Sequence, residues 1–171
     1  MRIAIFLILT GIILSCGNHP DVIRTNHQPS QLATLAVDSL SDREADSDAS
    51  LKEGLALFRT GNYERAQTLF EKSLEENYRN WKAHYYLGLT LRLRDMPDQA
   101  LAALHHGLRL APDDPRARSR IYVAIGEVSE STGAIGKARI SFMTALQIWP
   151  ESDSARDGLA RLENLDPADS R

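Results

Sequence analysis

The strongest constraint in this sequence is an internal repeat, in which four kinds of residue recur with the same spacing. A glycine, an alanine and a large apolar residue each recur after 34 and then 38 positions, and a proline recurs after 38. The markers are Gly54, Gly88 and Gly126; Ala66, Ala100 and Ala138; Phe70, Leu104 and Phe142; and Pro112 and Pro150. A period of this length predicts a stack of small helical units rather than one closed core.

The order of the markers resembles the tetratricopeptide repeat (TPR), a helix–turn–helix module of about 34 residues. The second unit is the clearest, with Leu87, Gly88 and Leu91 on one helix and Ala100 and Leu104 on the next. The resemblance implies an all-α fold, a short TPR solenoid of three helix–turn–helix repeats plus a C-terminal capping helix. The predicted boundaries are 49–80, 81–114 and 115–150 for the repeats, 151–165 for the capping helix and 166–171 for a disordered tail.

Small residues at fixed places predict how the helices of one repeat meet. Gly88 has no side chain to separate it from the partner helix, and Ala100 on that helix adds only a methyl group. Gly61 and Gly133 stand at the turns between paired helices, where glycine adopts left-handed backbone at little cost. Asp95 takes that place in the second unit, and aspartate tolerates the same conformation.

Four extra residues near 115–118 account for the longer spacing of 38. Because one helical turn takes about 3.6 residues, we expect them to lengthen the first helix of the third repeat without turning its apolar face. Ala155, Leu159, Leu162 and Leu165 then mark a last amphipathic helix, which brings the predicted number of helices to seven.

The first residues of the chain have the pattern of an export signal. Arg2 precedes an apolar run from Ile3 to Leu14. As a helix the run spans about 18 Å, which is too short for a hydrocarbon core of about 30 Å and is typical of a signal peptide. It ends at Ser15 and Cys16, the only cysteine of the chain. This end resembles the lipobox of bacterial lipoproteins, in which the cysteine carries lipid; a plain signal followed by a free or buried cysteine is the alternative.

The lipobox resemblance implies a lipoprotein signal peptide at residues 1–15 and a membrane attachment through lipid on Cys16. Gly17 is not the aspartate that, in enterobacterial relatives, retains lipoproteins at the inner membrane. We therefore expect a lipid anchor in the bacterial outer membrane with the body in the periplasm, and the inner membrane is the alternative.

Residues 17–48 have no sustained apolar period and carry six acidic side chains against two basic ones. With Cys16 they form the predicted segment 16–48, a lipidated cysteine followed by a flexible acidic tether. The remaining body has 17 basic and 17 acidic residues. Because it has no excess of positive charge, we expect no nucleic-acid partner.

No residue pattern predicts catalysis, a metal or a cofactor. His105 and His106 are adjacent, so on a helix they point about 100° apart and cannot form an i, i+4 metal pair. His84 occupies a core position of the repeat, which favours a structural, partly buried histidine. The segment from Gly133 to Ala138 has neither the glycine spacing nor the hydroxyl of a phosphate-binding loop. We expect no enzyme activity, no metal site and no cofactor.

A second stripe of side chains, separate from the packing face, lies on the first helix of each repeat. In TPR proteins such stripes line a concave surface that binds peptides or partner helices. The stripe comprises Leu51, Leu55 and Phe58; Lys82, Tyr85, Leu89 and Arg92; and Arg120, Val123, Glu127 and Glu130. It predicts a groove that is apolar at one end and acidic at the other, suited to an apolar segment with a few basic residues. The alternative is that Leu51, Leu55 and Leu89 pack under neighbouring elements or under the tether.

These features predict a membrane-anchored TPR lipoprotein, which acts as a scaffold or adaptor in envelope assembly and binds envelope proteins or peptides through its concave surface. In TPR proteins that hold a chaperone's terminal carboxylate, Lys and Asn of the first repeat take part; Leu51 and Leu55 replace them here. One alternative is a structural envelope protein that self-assembles into homo-oligomers, since the sequence leaves the oligomeric state open. A periplasmic enzyme is a more remote alternative.

Overall fold

The computed structural model describes residues 45–165, and every regular element in this part of the chain is an α-helix. The helices are α1 at 45–59, α2 at Tyr63–Glu76, α3 at Trp81–Leu93, α4 at Pro97–Leu110, α5 at Pro115–Ser131, α6 at Ile135–Ile148 and α7 at Asp153–Leu165. The predicted all-α solenoid of three helix pairs and a last helix is confirmed. The predicted signal peptide, Cys16, residues 17–44 and the tail at 166–171 lie outside the described residues.

Local sequence specifies where most of the helices begin. The side chains of Asn62, Asn80 and Asp114 accept hydrogen bonds from backbone N–H groups in the first turns of α2, α3 and α5, at 3.4, 3.3 and 3.0 Å. Pro97 and Pro115 occupy the first positions of α4 and α5, where the missing N–H removes no helical hydrogen bond.

The first helix contradicts the predicted end of the tether. Residues 45–48 belong to α1, although we expected the tether to continue to residue 48. The physical reason is a polar contact: Ser47 is buried, and its carbonyl accepts a hydrogen bond of 2.8 Å from the Ser73 hydroxyl. Asn80 Nδ2 donates to the Ser47 hydroxyl at 3.0 Å. Apolar periodicity cannot reveal a helix start that is held by buried serines.

Each repeat places a glycine of its first helix against a large side chain of its second helix. The three pairs are Gly54 with Phe70, Gly88 with Leu104, and Gly126 with Phe142. A Cβ atom on Gly88 would lie 2.6 Å from Leu104 Cγ and 3.1 Å from the Ala100 carbonyl oxygen, which is closer than packed atoms tolerate. The predicted approach of Gly88 to Ala100 is therefore confirmed. The alanine markers Ala66, Ala100 and Ala138 are fully buried.

A fourth glycine, which we did not predict, closes the last repeat. A Cβ on Gly158 of α7 would lie 2.7 Å from the ring of Phe142, so this ring is held between Gly126 of α5 and Gly158. Ala155 and Leu162 of α7 are buried in the same apolar cluster. The last helix therefore covers the outer apolar face of the third repeat, as predicted for a capping helix.

The turns and the inserted residues also agree with the sequence predictions. Gly61, Asp95 and Gly133 have φ angles of 78°, 59° and 73°, so each turn passes through the left-handed region. Helix α5 has 17 residues and α3 has 13, which confirms that the extra residues lengthen the third repeat by one turn. Pro112 and Pro150 are exposed in the turns that follow α4 and α6.

The predicted structural histidine lies in an aromatic cluster that joins the first repeat to the second. His84 is buried, and its Nε2 donates to the Tyr78 carbonyl oxygen at 3.0 Å. Its ring stacks on His106, whose Nδ1 lies 2.7 Å from both the Tyr78 hydroxyl and Arg109 Nη2. Burial lowers the pKa of His84 against the opposing hydrogen bond to the Tyr78 carbonyl, and the nearby His106 and Arg109 side chains lower it further.

The glycine contacts predict a position-dependent cost of adding one methyl group. We expect Gly88→Ala to lower the free energy of unfolding by about 1–3 kcal/mol relative to Gly136→Ala, because the added methyl overpacks against Leu104. Gly136 also lies in a helix but has no atom within 4 Å of its Cβ position. Urea unfolding of both variants measures the difference. Equal stabilities would contradict the packing.

The buried histidine predicts a loss of stability in acid. Since the pKa of His84 is lower in the fold than its ordinary value of 6.5, the unfolded chain binds more protons below that pH. We expect the free energy of unfolding to fall as the pH drops from about 7.5 to about 5.5, and His84→Gln to flatten this dependence. His105→Gln, at an exposed neighbouring position, is the control. An unchanged pH profile in His84→Gln would contradict this assignment.

Candidate functional site

The curvature of the stack places the odd-numbered helices on one side. Among α2 to α7, α3 contacts α5 and α5 contacts α7, whereas the even-numbered helices do not contact one another. The odd-numbered helices are therefore closer together and line the inner, concave surface of the described solenoid. This is the surface that the predicted stripe was expected to occupy.

A cleft of about 400 Å³ lies between α3, α5 and the start of α7. It is lined by six residues of the predicted stripe, Tyr85, Leu89, Arg92, Arg120, Val123 and Glu127. Lys82 continues it at one end beside Tyr85 and Arg120, and Glu130 continues it at the other end beside Arg92 and Glu127. The structure thus brings together the stripe residues of the second and third repeats.

The stripe residues of the first repeat do not join this cleft. Leu51 is only 6% exposed, packs in a core cluster with Phe70 and Ala83, and is not among the residues that line the cleft. Leu55 and Phe58 are half-buried against the same cluster. Helix α3 packs on α1 and covers Leu51, which is why the first repeat does not contribute this residue to the cleft. For Leu51 the alternative, packing under a neighbouring element, is therefore confirmed. Val123, at 7% exposure, also belongs mainly to the core.

The prediction that one end of the groove is acidic is wrong, because Glu127 and Glu130 are both paired with arginines. Arg92 Nη2 lies 3.2 Å from Glu127 Oε2, an ion pair between α3 and α5. Arg161 of α7 donates from Nε and Nη2 to the two Glu130 carboxylate oxygens, at 3.1 and 2.9 Å. The hydrogen bonds to Glu130 raise the pKa of Arg161. The two pairs leave this end of the cleft without net charge.

The other end of the cleft has uncompensated positive charge. Lys82 and Arg120 are exposed, and neither forms an ion pair with any residue in the range 45–165. Burial raises the pKa of Tyr85 to about 12, so its phenol stays protonated and can donate a hydrogen bond. Two cations and a phenolic donor beside an apolar wall can hold an anionic group together with an apolar one.

Sequence reasoning missed several groups that complete this surface. Tyr86 and Ala124 line the cleft beside the predicted stripe, and Ser152 and Ser154 close it from the start of α7. Arg161 pairs with Glu130 from a polar position of α7, which the apolar pattern of the last helix does not indicate. The same helical spacing applied to α7 would have indicated Ser154 and Arg161 as further residues of this surface.

Two kinds of feature are absent from residues 45–165. No group of three or more histidine, cysteine, aspartate or glutamate side chains there could hold a metal ion. None of the helices in this range combines the length and the apolar character needed to cross a membrane.

Comparison with known proteins places the fold. Residues 51–115 match the sequence profile of the tetratricopeptide repeat family. The Arabidopsis OM64 TPR domain has a similar structure, with a TM-score of 0.66 at 16% identity, over 72% of this chain and 98% of that chain. The second TPR domain of human RPAP3, solved with the HSP70 peptide SGPTIEEVD, has a TM-score of 0.63 at 16% identity, over 72% and 98%.

A larger protein contains the same fold as one part. A mutant O-GlcNAc transferase from Thermobaculum terrenum has a TM-score of 0.64 at 21% identity, over 71% of this chain but 22% of that chain. None of the curated proteins matches this sequence. The described residues therefore have the fold of a TPR domain, a helical-repeat module.

The arginine–glutamate pairs predict a small effect on stability. We expect Glu130→Gln to lower the free energy of unfolding by less than about 1 kcal/mol, because Arg161 is half-exposed and solvent screens the pair. Glu163→Gln, at an exposed position of α7, is the matched control. The difference between the variants should shrink in high salt. A loss of several kcal/mol, independent of salt, would show that α7 depends on this pair.

Proposed function

We propose that this protein is a membrane-anchored binding module, in which a TPR body holds a segment of an envelope protein in its concave cleft as part of a scaffold or adaptor. The cleft between α3, α5 and α7 carries this proposal. Its volume of about 400 Å³ suits one or two side chains of a bound segment, and it offers unpaired cations at one end. The human RPAP3 domain of the same fold was solved with a bound peptide, which supports a peptide segment as the ligand.

The anchor in this proposal is lipid on Cys16. Its support is the sequence pattern, an apolar run that ends at Ser15 and Cys16 behind the single charge of Arg2. If residues 17–44 form a flexible coil, their 28 positions correspond to an end-to-end distance of about 30 Å. The body would then reach partners near the periplasmic surface of the outer membrane, with the inner membrane as the alternative site.

Self-assembly is the second candidate function, and the outer side of α6 favours it. Ile140 and Met143 are 67% and 57% exposed, and they lie on neighbouring turns of the same helix. A second copy could bury them. Sedimentation of the full chain in mild detergent over a range of concentrations tests this candidate, and a constant monomer mass would exclude it.

The binding function predicts capture of a partner from the cleft. A photo-crosslinking residue in place of Tyr85 should trap an envelope protein in cells, and the same residue in place of Met143 on the outer side of α6 should not. Mass spectrometry identifies the trapped protein. Capture from Met143 alone, or from neither position, would contradict the proposed site.

The anchor predicts the behaviour of the cysteine variant. We expect Cys16→Ala to accumulate as unprocessed precursor without attached lipid, because the modified thiol is lost. Gel mobility and metabolic labelling with a fatty acid measure both effects, and Ser15→Ala, which keeps the thiol and a small residue before it, is the control. Normal processing of Cys16→Ala would refute the lipoprotein assignment.

A further inference from the structure

We propose that the cleft selects an internal, acidic segment of its partner, with a carboxylate at the end flanked by Lys82 and Arg120 and an apolar side chain beside it. This inference rests on the proposed function and adds the chemistry of the ligand. It replaces the sequence-based expectation of a segment with basic residues, because the paired glutamates cannot attract them. Three observations on the cleft carry it.

The first observation is the distribution of charge. Glu127 is the one acidic residue that lines the cleft in the described part of the chain, and Arg92 neutralises it. Lys82 and Arg120 therefore leave two positive charges at the end of the cleft where α3 and α5 begin. A basic segment would have to approach these charges, whereas an acidic segment would neutralise them.

The second observation is a small hollow at the same end. Trp81, Lys82, Tyr85, Tyr86 and Arg120 surround about 80 Å³ of space, enough for a carboxylate group. Lys82 Nζ lies 6.0 Å from the centre of the Trp81 ring. Trp81, Tyr85 and Tyr86 form the aromatic wall of this hollow. Because the two exposed cations line the same hollow, a carboxylate in it would lie beside both positive charges.

The third observation is that the hollow opens into the larger cleft. Tyr85, Tyr86 and Arg120 line both spaces, so an acidic residue in the hollow places the next side chains over Leu89 and Val123. Beyond them the surface continues to the neutral arginine–glutamate pairs at the other end of the cleft. A chain can therefore run the length of the cleft, and recognition needs no chain terminus.

Two acidic residues that line a hollow beside the cleft, together with Arg120, leave this balance intact. Glu151 and Asp153 line a neighbouring hollow together with Arg116 and Arg120. Asp153 pairs with Arg156 at 2.8 Å, and the Arg116 guanidinium stacks 4.8 Å from the centre of the Trp149 ring. Arg116 and Arg120 thus face a single unpaired carboxylate, and the edge stays positive.

Peptide binding to the full chain, purified in mild detergent, tests the proposal. The probes are three fluorescent peptides with acetylated and amidated ends, in which leucine and phenylalanine alternate with glutamate, glutamine or lysine. We expect the glutamate peptide to bind at least about tenfold more tightly than the lysine peptide. The preference should weaken as salt rises.

Charge reversal tests whether Lys82 and Arg120 cause the preference for the glutamate peptide. The combined change Lys82→Glu and Arg120→Glu should abolish or invert the preference. The combined change Arg65→Glu and Lys137→Glu alters the net charge equally at exposed positions of α2 and α6 and should keep it. Equal binding of the three peptides would overturn the proposal. So would a preference for the glutamate peptide that is unchanged in the Lys82→Glu and Arg120→Glu variant.

The outcomes separate this proposal from the proposed function. Partner capture at Tyr85 without acidic selectivity would overturn the acidic ligand and leave the binding function standing. Loss of both capture and peptide binding would overturn both. Crosslinking of Tyr85 to residues 17–44 of the same chain, or to a second copy, would also overturn an acidic partner, because this chain would itself be the occupant.

Discussion

The structure depends on one contact that recurs in every repeat, between a glycine of the first helix and a large side chain of the second. At Gly54, Gly88 and Gly126 the place of a Cβ atom is taken by the partner side chain. The paired helices therefore approach more closely than side chains would allow, and the second helix carries a buried alanine at the same interface. Gly158 repeats the contact from the last helix, so that the ring of Phe142 ends the stack between two glycines.

This regularity explains how much of the fold the sequence could predict. The periodic glycine, alanine and large apolar residues correctly predicted the helix pairs, the left-handed turns and the extra turn of α5. The start of α1 was missed because its contacts are polar. Ser47 forms hydrogen bonds with Ser73 and Asn80, which lie more than twenty residues further along the chain. Gly158 was missed because one further glycine in a last helix has no periodic partner after it. Local patterns reveal local packing, and long-range polar contacts need coordinates.

The candidate site shows the same division between what local patterns reveal and what they do not. Helical spacing correctly grouped the stripe residues of α3 and α5, since neighbours at three or four positions share a face. It could not show that α3 covers Leu51, or that Glu127 and Glu130 find arginines on neighbouring helices. Those pairings neutralise the end of the groove that was predicted to be acidic. Because Lys82 and Arg120 leave the opposite end basic, the proposed ligand changes from a segment with basic residues to an acidic one.

A double-mutant cycle at the last repeat tests the central contact most directly. Gly126→Ala, Phe142→Ala and the double variant are compared by urea unfolding. If the ring occupies the place of the glycine side chain, Gly126→Ala costs at least about 1 kcal/mol less in the Phe142→Ala background than in the unaltered chain. Additive effects of the two changes would contradict the account, because they would show that the glycine and the ring do not compete for one space.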